Sequence, residues 1–140
     1  MTAAPPARHL LRAKDLMDAR YREPLDVPAL AQAARLSPAH FSREFRRAFG
    51  QTPHRYLLNR RLERAAELLR NTDRSVADIC FTVGLKSVGS FTTSFGRAFG
   101  ASPTAYRGAF PAASTRARVP TCVLLAWTRP TTAVFEKTAR

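Results

Sequence analysis

Cysteine, histidine and lysine are all scarce in this chain, and each scarcity closes off a class of function. Cys80 and Cys122 are the only cysteines, too few for a disulfide framework or a cysteine-ligated zinc site, and a reducing cytoplasm suits them best. The histidines number three, His9, His40 and His54. They are read as isolated, with neither metal-ligand spacing nor a partner carboxylate at i+3 or i+4, so no metal, no cofactor and no enzymatic constellation is expected. Long apolar runs are missing as well. The longest, Cys122 to Trp127, is six residues against the ~20 needed to cross a bilayer. The N-terminus has no apolar core of the signal-peptide kind. A membrane partner is therefore not expected.

Acidic residues are also few. Asp and Glu number 10 against 23 Lys and Arg, for a formal net charge of +13. The excess is +4 over residues 1–50, +4 over 51–100 and +5 over 101–140, so it is not a basic tail on a neutral domain. Twenty of the 23 cations are Arg. A GC-rich genome produces such a bias, but Arg in place of Lys leaves the charge unchanged, and a polyanion is the expected partner. With 45% apolar residues and nine Phe in 140 residues, the chain can build a core, as one compact domain or two very small ones.

The strongest positive signal is an internal repeat. FSREFRRAFGQTPHRY (Phe41 to Tyr56) matches FTTSFGRAFGASPTAY (Phe91 to Tyr106) at an offset of 50, with eight of sixteen positions identical. Each copy reads as helix, tight turn, helix. In the first, Asp26 caps a helix Val27 to Ala34, and Ser37 caps a second that opens on Pro38 and runs to Phe49. Gly50 suits the position after its end, and Thr52-Pro53 starts the next helix. In the second copy Ser75, Gly84, Ser87, Gly100 and Ser102-Pro103 repeat the punctuation, with Ser75-Val-Ala-Asp78 resembling a capping box. Phe41, Phe45 and Phe49, and again Phe91, Phe95 and Phe99, form stripes at i, i+4, i+8.

Between the copies, Pro53 to Arg70 has a long helical pattern of roughly 18 residues, about 27 Å at 1.5 Å per residue. Arg8 to Tyr21 reads as an earlier amphipathic helix with Leu10, Ala13, Met17 and Tyr21 on one side. Pro103 to about Phe110 reads as a short closing helix. The expected layout is thus a disordered segment 1–7, a helical domain 8–110 with units at about 26–50 and 75–100, and a basic, partly apolar tail 111–140.

A helix-turn-helix needs a small residue where its helices cross, and Ala31 and Cys80 stand there, each four residues before the turn at Arg35 and Gly84. Cys80 is accordingly read as a small buried apolar side chain rather than a redox group. Projected at about 100° per residue, the face opposite the first Phe stripe carries Ala39, Arg43, Arg46 and Arg47, flanked by His40 and Ser42. Residues near a recognition helix's N-terminus reach base edges, which makes Ala39, Ser42 and Arg43 the expected readers and Arg46 and Arg47 phosphate contacts. The second copy turns out Gly89, Thr93 and Gly96, with Val88 and Thr92 beside them and only Lys86 and Arg97 basic. Arg35 to Arg61 holds seven basic residues and one acid, whereas Ser75 to Arg107 holds three and one. The first unit should dominate affinity and readout.

This pattern resembles the DNA-binding domain of AraC/XylS-type bacterial transcriptional regulators. The resemblance runs from about Arg8 to Arg107 and rests on LAQAARLSPAHFSREFRRAFGQTP, RRLERAAELL and ADICFTVGLKSVGSFTTSFGRAFGASPTAYR. It implies an all-α fold of seven helices, with two helix-turn-helix units on a linker helix binding adjacent major-groove segments of double-stranded DNA as a monomer. It also implies RNA polymerase as a partner, and activation as the commoner outcome. By the resemblance, base contacts fall to Ala39, Ser42 and Arg43 and to Gly89, Thr92 and Thr93. Phosphate contacts are expected at Ser37, His40, Arg46, Arg47, Lys86, Ser87 and Arg97. Three features depart from the pattern. Arg35 replaces the common turn Gly, Thr93 stands where Arg is frequent, and only about seven residues precede the first helix, as in a short member or a fragment. Two other functions compete with specific DNA binding: non-specific nucleoid or RNA binding, and an adaptor role for the apolar run Val119 to Trp127.

Overall fold

In the computed structural model residues 7–111 are described, and α1 (Arg8–Ala19), α2 (Val27–Ala33), α3 (Pro38–Phe49), α4 (Pro53–Asn71), α5 (Val76–Thr82), α6 (Val88–Phe99) and α7 (Pro103–Gly108) follow one another along them. No strand occurs among the described residues, in keeping with the all-α expectation. The expected N-terminal segment and the tail lie outside the described residues, apart from Ala7 and Pro111. The described chain forms two compact units that divide within α4, after Arg60.

Polar caps start six of the helices, because the first N–H groups of a helix have no intrahelical acceptor. Asp26 Oδ1 accepts from the Ala29 N–H at 2.9 Å, and Ser37 Oγ from the His40 N–H at 3.3 Å. Thr52, Ser75, Ser87 and Ser102 do the same for α4, α5, α6 and α7 at 3.1–3.2 Å. At the other end of α3 and α6, Gly50 and Gly100 both adopt φ 74°, the left-handed conformation that glycine enters without a Cβ clash.

In the first unit α1 buries Leu10, Ala13 and Met17 and packs on α2 and α3. It stops at Ala19 rather than Tyr21, where the Arg20 N–H closes on Leu16 O at 2.9 Å. Tyr21 still reaches the core at 8% exposure, and the Arg60 guanidinium lies 5.0 Å from its ring centre. Phe41 and Phe45 are fully buried. Phe45 meets Phe49 at 4.6 Å and Tyr56 edge-on at 5.7 Å. Burying a ring of this size contributes about 1.5–3 kcal/mol, so one stripe supplies much of the unit's cohesion. Ala31 is 1% exposed, as the close crossing of α2 and α3 requires.

The second unit repeats the scheme. α6 packs on α5 and α7, Phe91 and Phe95 are buried with Cys80, Ile79 and Val83, and Phe95 meets Phe99 at 4.5 Å and Tyr106 at 5.2 Å. Leu62, Ala65, Ala66 and Leu69 of α4 are buried. From α7, the Arg107 guanidinium donates to Leu69 O at 3.1 Å, Thr72 O at 3.3 Å and Arg74 O at 2.5 Å, satisfying carbonyls at and beyond the end of α4. α7 closes at Gly108, before the expected Phe110, whose ring stays against Tyr106 at 5.1 Å.

The two turns are closed alike. Leu36 N–H donates to Ala31 O at 2.9 Å and Leu85 N–H to Cys80 O at 3.0 Å, the longer-range bond of a Schellman motif. The left-handed residue is Gly84 (φ 92°) in the second unit and Arg35 (φ 57°) in the first. For an arginine that conformation costs roughly 1–2 kcal/mol. The second turn is also one residue longer, five residues between helices against four, and Lys86 lies within it.

Candidate nucleic-acid interface

Twelve residues in one amphipathic helix define the first candidate surface. With Phe41 and Phe45 turned inward, Ala39, His40, Arg43, Arg46 and Arg47 are exposed and Ser42 is half-buried. The structure therefore brings the expected readers and cations of α3 together on its solvent side. Ser37 is exposed at the start. Its Oγ already accepts from His40, which leaves its hydroxyl proton to donate outward.

Charge on this face is not evenly available. Glu44 lies 3.1 Å from Arg47 Nη1 and 3.8 Å from His40 Nε2. Reading the histidines as isolated missed this carboxylate, although its spacings of i−3 to Arg47 and i+4 from His40 are legible in the sequence. Among the described residues Arg43 and Arg46 engage no carboxylate. Arg46 and Arg47 also occupy the last turn, where a cation stabilises the helix dipole by about 0.3–1 kcal/mol. Arg43 has no such structural duty.

The face of α6 is chemically different. Gly89 and Thr93 are exposed, and Thr92 and Gly96 are half-buried. Thr92 Oγ1 donates to Val88 O at 2.8 Å and Thr93 Oγ1 to Gly89 O at 3.1 Å. Both hydroxyl protons are thus committed to the helix, leaving methyl groups and acceptor lone pairs to face outward. A Cβ at Gly89 would first meet Ser87 Oγ at 3.9 Å, and one at Gly96 would meet nothing among the described residues within 4 Å. Packing demands neither glycine, and each weakens the helix by about 0.5–1 kcal/mol relative to Ala. Lys86, Ser87 and Arg97 are exposed, and neither cation pairs with a described carboxylate.

Cys80 belongs to the packing rather than to this surface, since burial pushes its thiol above the ordinary cysteine value. Among the described residues no group of three or more His, Cys, Asp or Glu is placed to hold a metal ion, and no helix is long and apolar enough to cross a membrane.

Comparison with known proteins places this geometry in a wider set. A family model described as a helix-turn-helix domain matches residues 30–109. The transcriptional activator RhaS of Escherichia fergusonii is 36% identical over 91 residues, which cover 65% of this chain and 33% of RhaS. The transcriptional regulator CdhR of Pseudomonas aeruginosa is 32% identical over 104 residues, covering 74% of this chain and 31% of CdhR. The chain thus spans about a third of the length of the curated relatives it matches. Among solved structures, the DNA-binding domain of AdpA, a global transcriptional factor in complex with a target DNA, matches with TM-score 0.69 and 32% identity over 84% of this chain and 99% of that one. The C-terminal domain of AraT, a response regulator from Geobacillus stearothermophilus, matches with TM-score 0.71 and 28% identity over 76% and 88% of the two chains.

Proposed function

Because the chain belongs to the AraC/XylS type of helix-turn-helix regulators, we propose that it is a transcriptional regulator that binds double-stranded DNA sequence-specifically, one recognition helix of each unit entering adjacent major-groove segments. The observation that carries this reading is Arg43, exposed, without an acidic partner among the described residues, and set beside Ala39 and Ser42 on the side of α3 turned away from its buried rings. A guanidinium so placed makes bidentate bonds to guanine O6 and N7. Ser37, His40, Arg46 and Arg47 grip the flanking phosphates. In the second unit Gly89, Thr92 and Thr93 face bases while Lys86, Ser87 and Arg97 face phosphates, with methyl contacts in place of strong donors.

Two tandem units in one chain need no twofold axis, so a monomer occupies an asymmetric site of about two turns. The excess of six positive charges over Arg35 to Arg61, against two over Ser75 to Arg107, concentrates affinity and base preference in the half bound by the first unit. Activation through contact with RNA polymerase is the regulatory outcome, in line with the similarity to the transcriptional activator RhaS, and the protein works on the nucleoid in the cytoplasm.

Selection of bound sequences from a random duplex library, followed by base-by-base substitution, tests the reading. The expected result is one enriched, non-palindromic site with one sharp and one degenerate half. A library that stays unenriched, with equal binding to bulk DNA at physiological salt, would establish the non-specific alternative. A palindrome bound by two chains would overturn the monomer.

A further inference from the structure

Arg35 carries an inference that the fold alone does not explain. It is the one non-glycine residue with positive φ among the described residues, at 57°. The duplicated turn of the second unit performs the same task with Gly84 (φ 92°) and an equivalent closing bond, 3.0 Å against 2.9 Å. Glycine therefore suffices for this turn, and arginine works against the backbone it stands in. The closing bonds of the turn would form equally with glycine, and the Arg35 side chain adds nothing to offset the strain, since it is exposed and engages no carboxylate among the described residues.

Its position gives the guanidinium a use. Arg35 lies two residues before Ser37, the cap of α3, and so next to the end of the helix that carries the exposed Ala39 and Arg43 and the half-buried Ser42. When the N-terminal part of a recognition helix enters the major groove, the residues leading into it pass close to the sugar-phosphate strand that borders the groove. A guanidinium is suited to phosphate because its planar fork makes two parallel, charge-assisted bonds. Arg35 also opens the stretch to Arg61 in which seven basic residues accompany one acid.

We propose that Arg35 is a DNA-phosphate contact of the first unit, held at the mouth of α3 by a left-handed turn that glycine would form more easily. The inference rests on the DNA-binding reading above.

The test compares the full chain with Arg35→Gly and Arg35→Lys, measuring melting temperature and duplex affinity across a salt series, on the selected site and on bulk DNA. Arg35→Gly should melt a few degrees higher, since the turn is relieved of strain. It should nevertheless bind both DNAs several-fold more weakly, with the slope of log affinity against log salt reduced by about one. Arg35→Lys should keep the wild-type slope. An Arg35→Gly protein whose affinity and slope match the parent's overturns the contact, whatever its melting temperature. A loss confined to the selected site and absent from bulk DNA overturns its assignment to phosphate. Wild-type chain that shows no salt-dependent duplex binding refutes the DNA-binding reading itself, a result distinct from either.

Discussion

The Tyr56 hydroxyl donates to Asp18 Oδ1 at 2.6 Å, joining α4 to α1 within the first unit. Asp18 is also approached by Lys14 at 3.6 Å and Arg60 at 3.8 Å. At the equivalent place in the second unit the polarity is inverted: Tyr106 Oη accepts from Arg70 Nη1 at 2.7 Å. Both rings sit edge-on to the middle phenylalanine of their stripe. The duplication thus kept the aromatic contact and exchanged the charge beneath it.

The two hydroxyls should differ in worth. The Asp18 side chain is 35% exposed and can rehydrate, so Tyr56→Phe should cost about 0.5–1.5 kcal/mol. Arg70 is 6% exposed, and Tyr106→Phe, which takes an acceptor from a buried cation, should cost about 1.5–3 kcal/mol. Urea denaturation measures both, and equal losses would show that burial of Arg70 does not set the difference.

Phe45→Ala and Phe95→Ala each empty the centre of a stripe, and loss of a core ring costs about 3–5 kcal/mol. A domain of this size has little more stability than that, so both variants should be largely unfolded at 37 °C by circular dichroism. Phe49→Ala, at a half-buried position, should remain folded. Parental melting temperatures for the first two would refute the assignment of the inner face.

On DNA, Arg43→Ala should lose about 1–3 kcal/mol on the selected site and relax preference at one base position. Arg47→Ala should weaken all sequences alike, and by less, because Glu44 already neutralises part of that charge. Competition binding with single-base variants of the site distinguishes them. Uniform, equal losses would mean that Arg43 does not read bases.

Cys80 should resist thiol reagents. Burial disfavours its thiolate and raises its titration above that of an exposed cysteine, so at a given pH less of the reactive form is present. In a Cys122→Ser background, where Cys80 is the only thiol, a colourimetric disulfide reagent at neutral pH should react only as urea opens the second unit. Rapid labelling of the native protein would contradict the buried placement.

Local signals made most of this fold legible. Caps, proline starts and glycine ends act within one helical turn, so Asp26, Ser37, Ser87 and Gly50 marked boundaries that the structure reproduces to within a residue or two. The repeat at an offset of 50 exposed the two units, because equal patterns of buried rings demand equal packing. Ends without strong punctuation fall short of the apolar rhythm: α1 stops at Ala19, before Tyr21, since a buried residue keeps that rhythm whether or not the backbone is still helical. On α3 the placement of Ala39, Arg43, Arg46 and Arg47 followed from the Phe stripe alone.

Sequence by itself therefore determined the helical class, the duplication and the solvent-facing side of α3 and α6, all of which depend on periodicity and neighbours a few residues apart. Tertiary structure decided what those side chains are committed to. The Thr92 and Thr93 hydroxyls turn back onto their own helix, the Arg107 fork finds carbonyls more than thirty residues away, Arg70 is buried against Tyr106, and Arg35 is left in a conformation suited to glycine. Such choices are made when distant segments compete for the same donors and acceptors. Which partner wins is set by distance and burial in the folded chain, and neither is encoded in spacing along it.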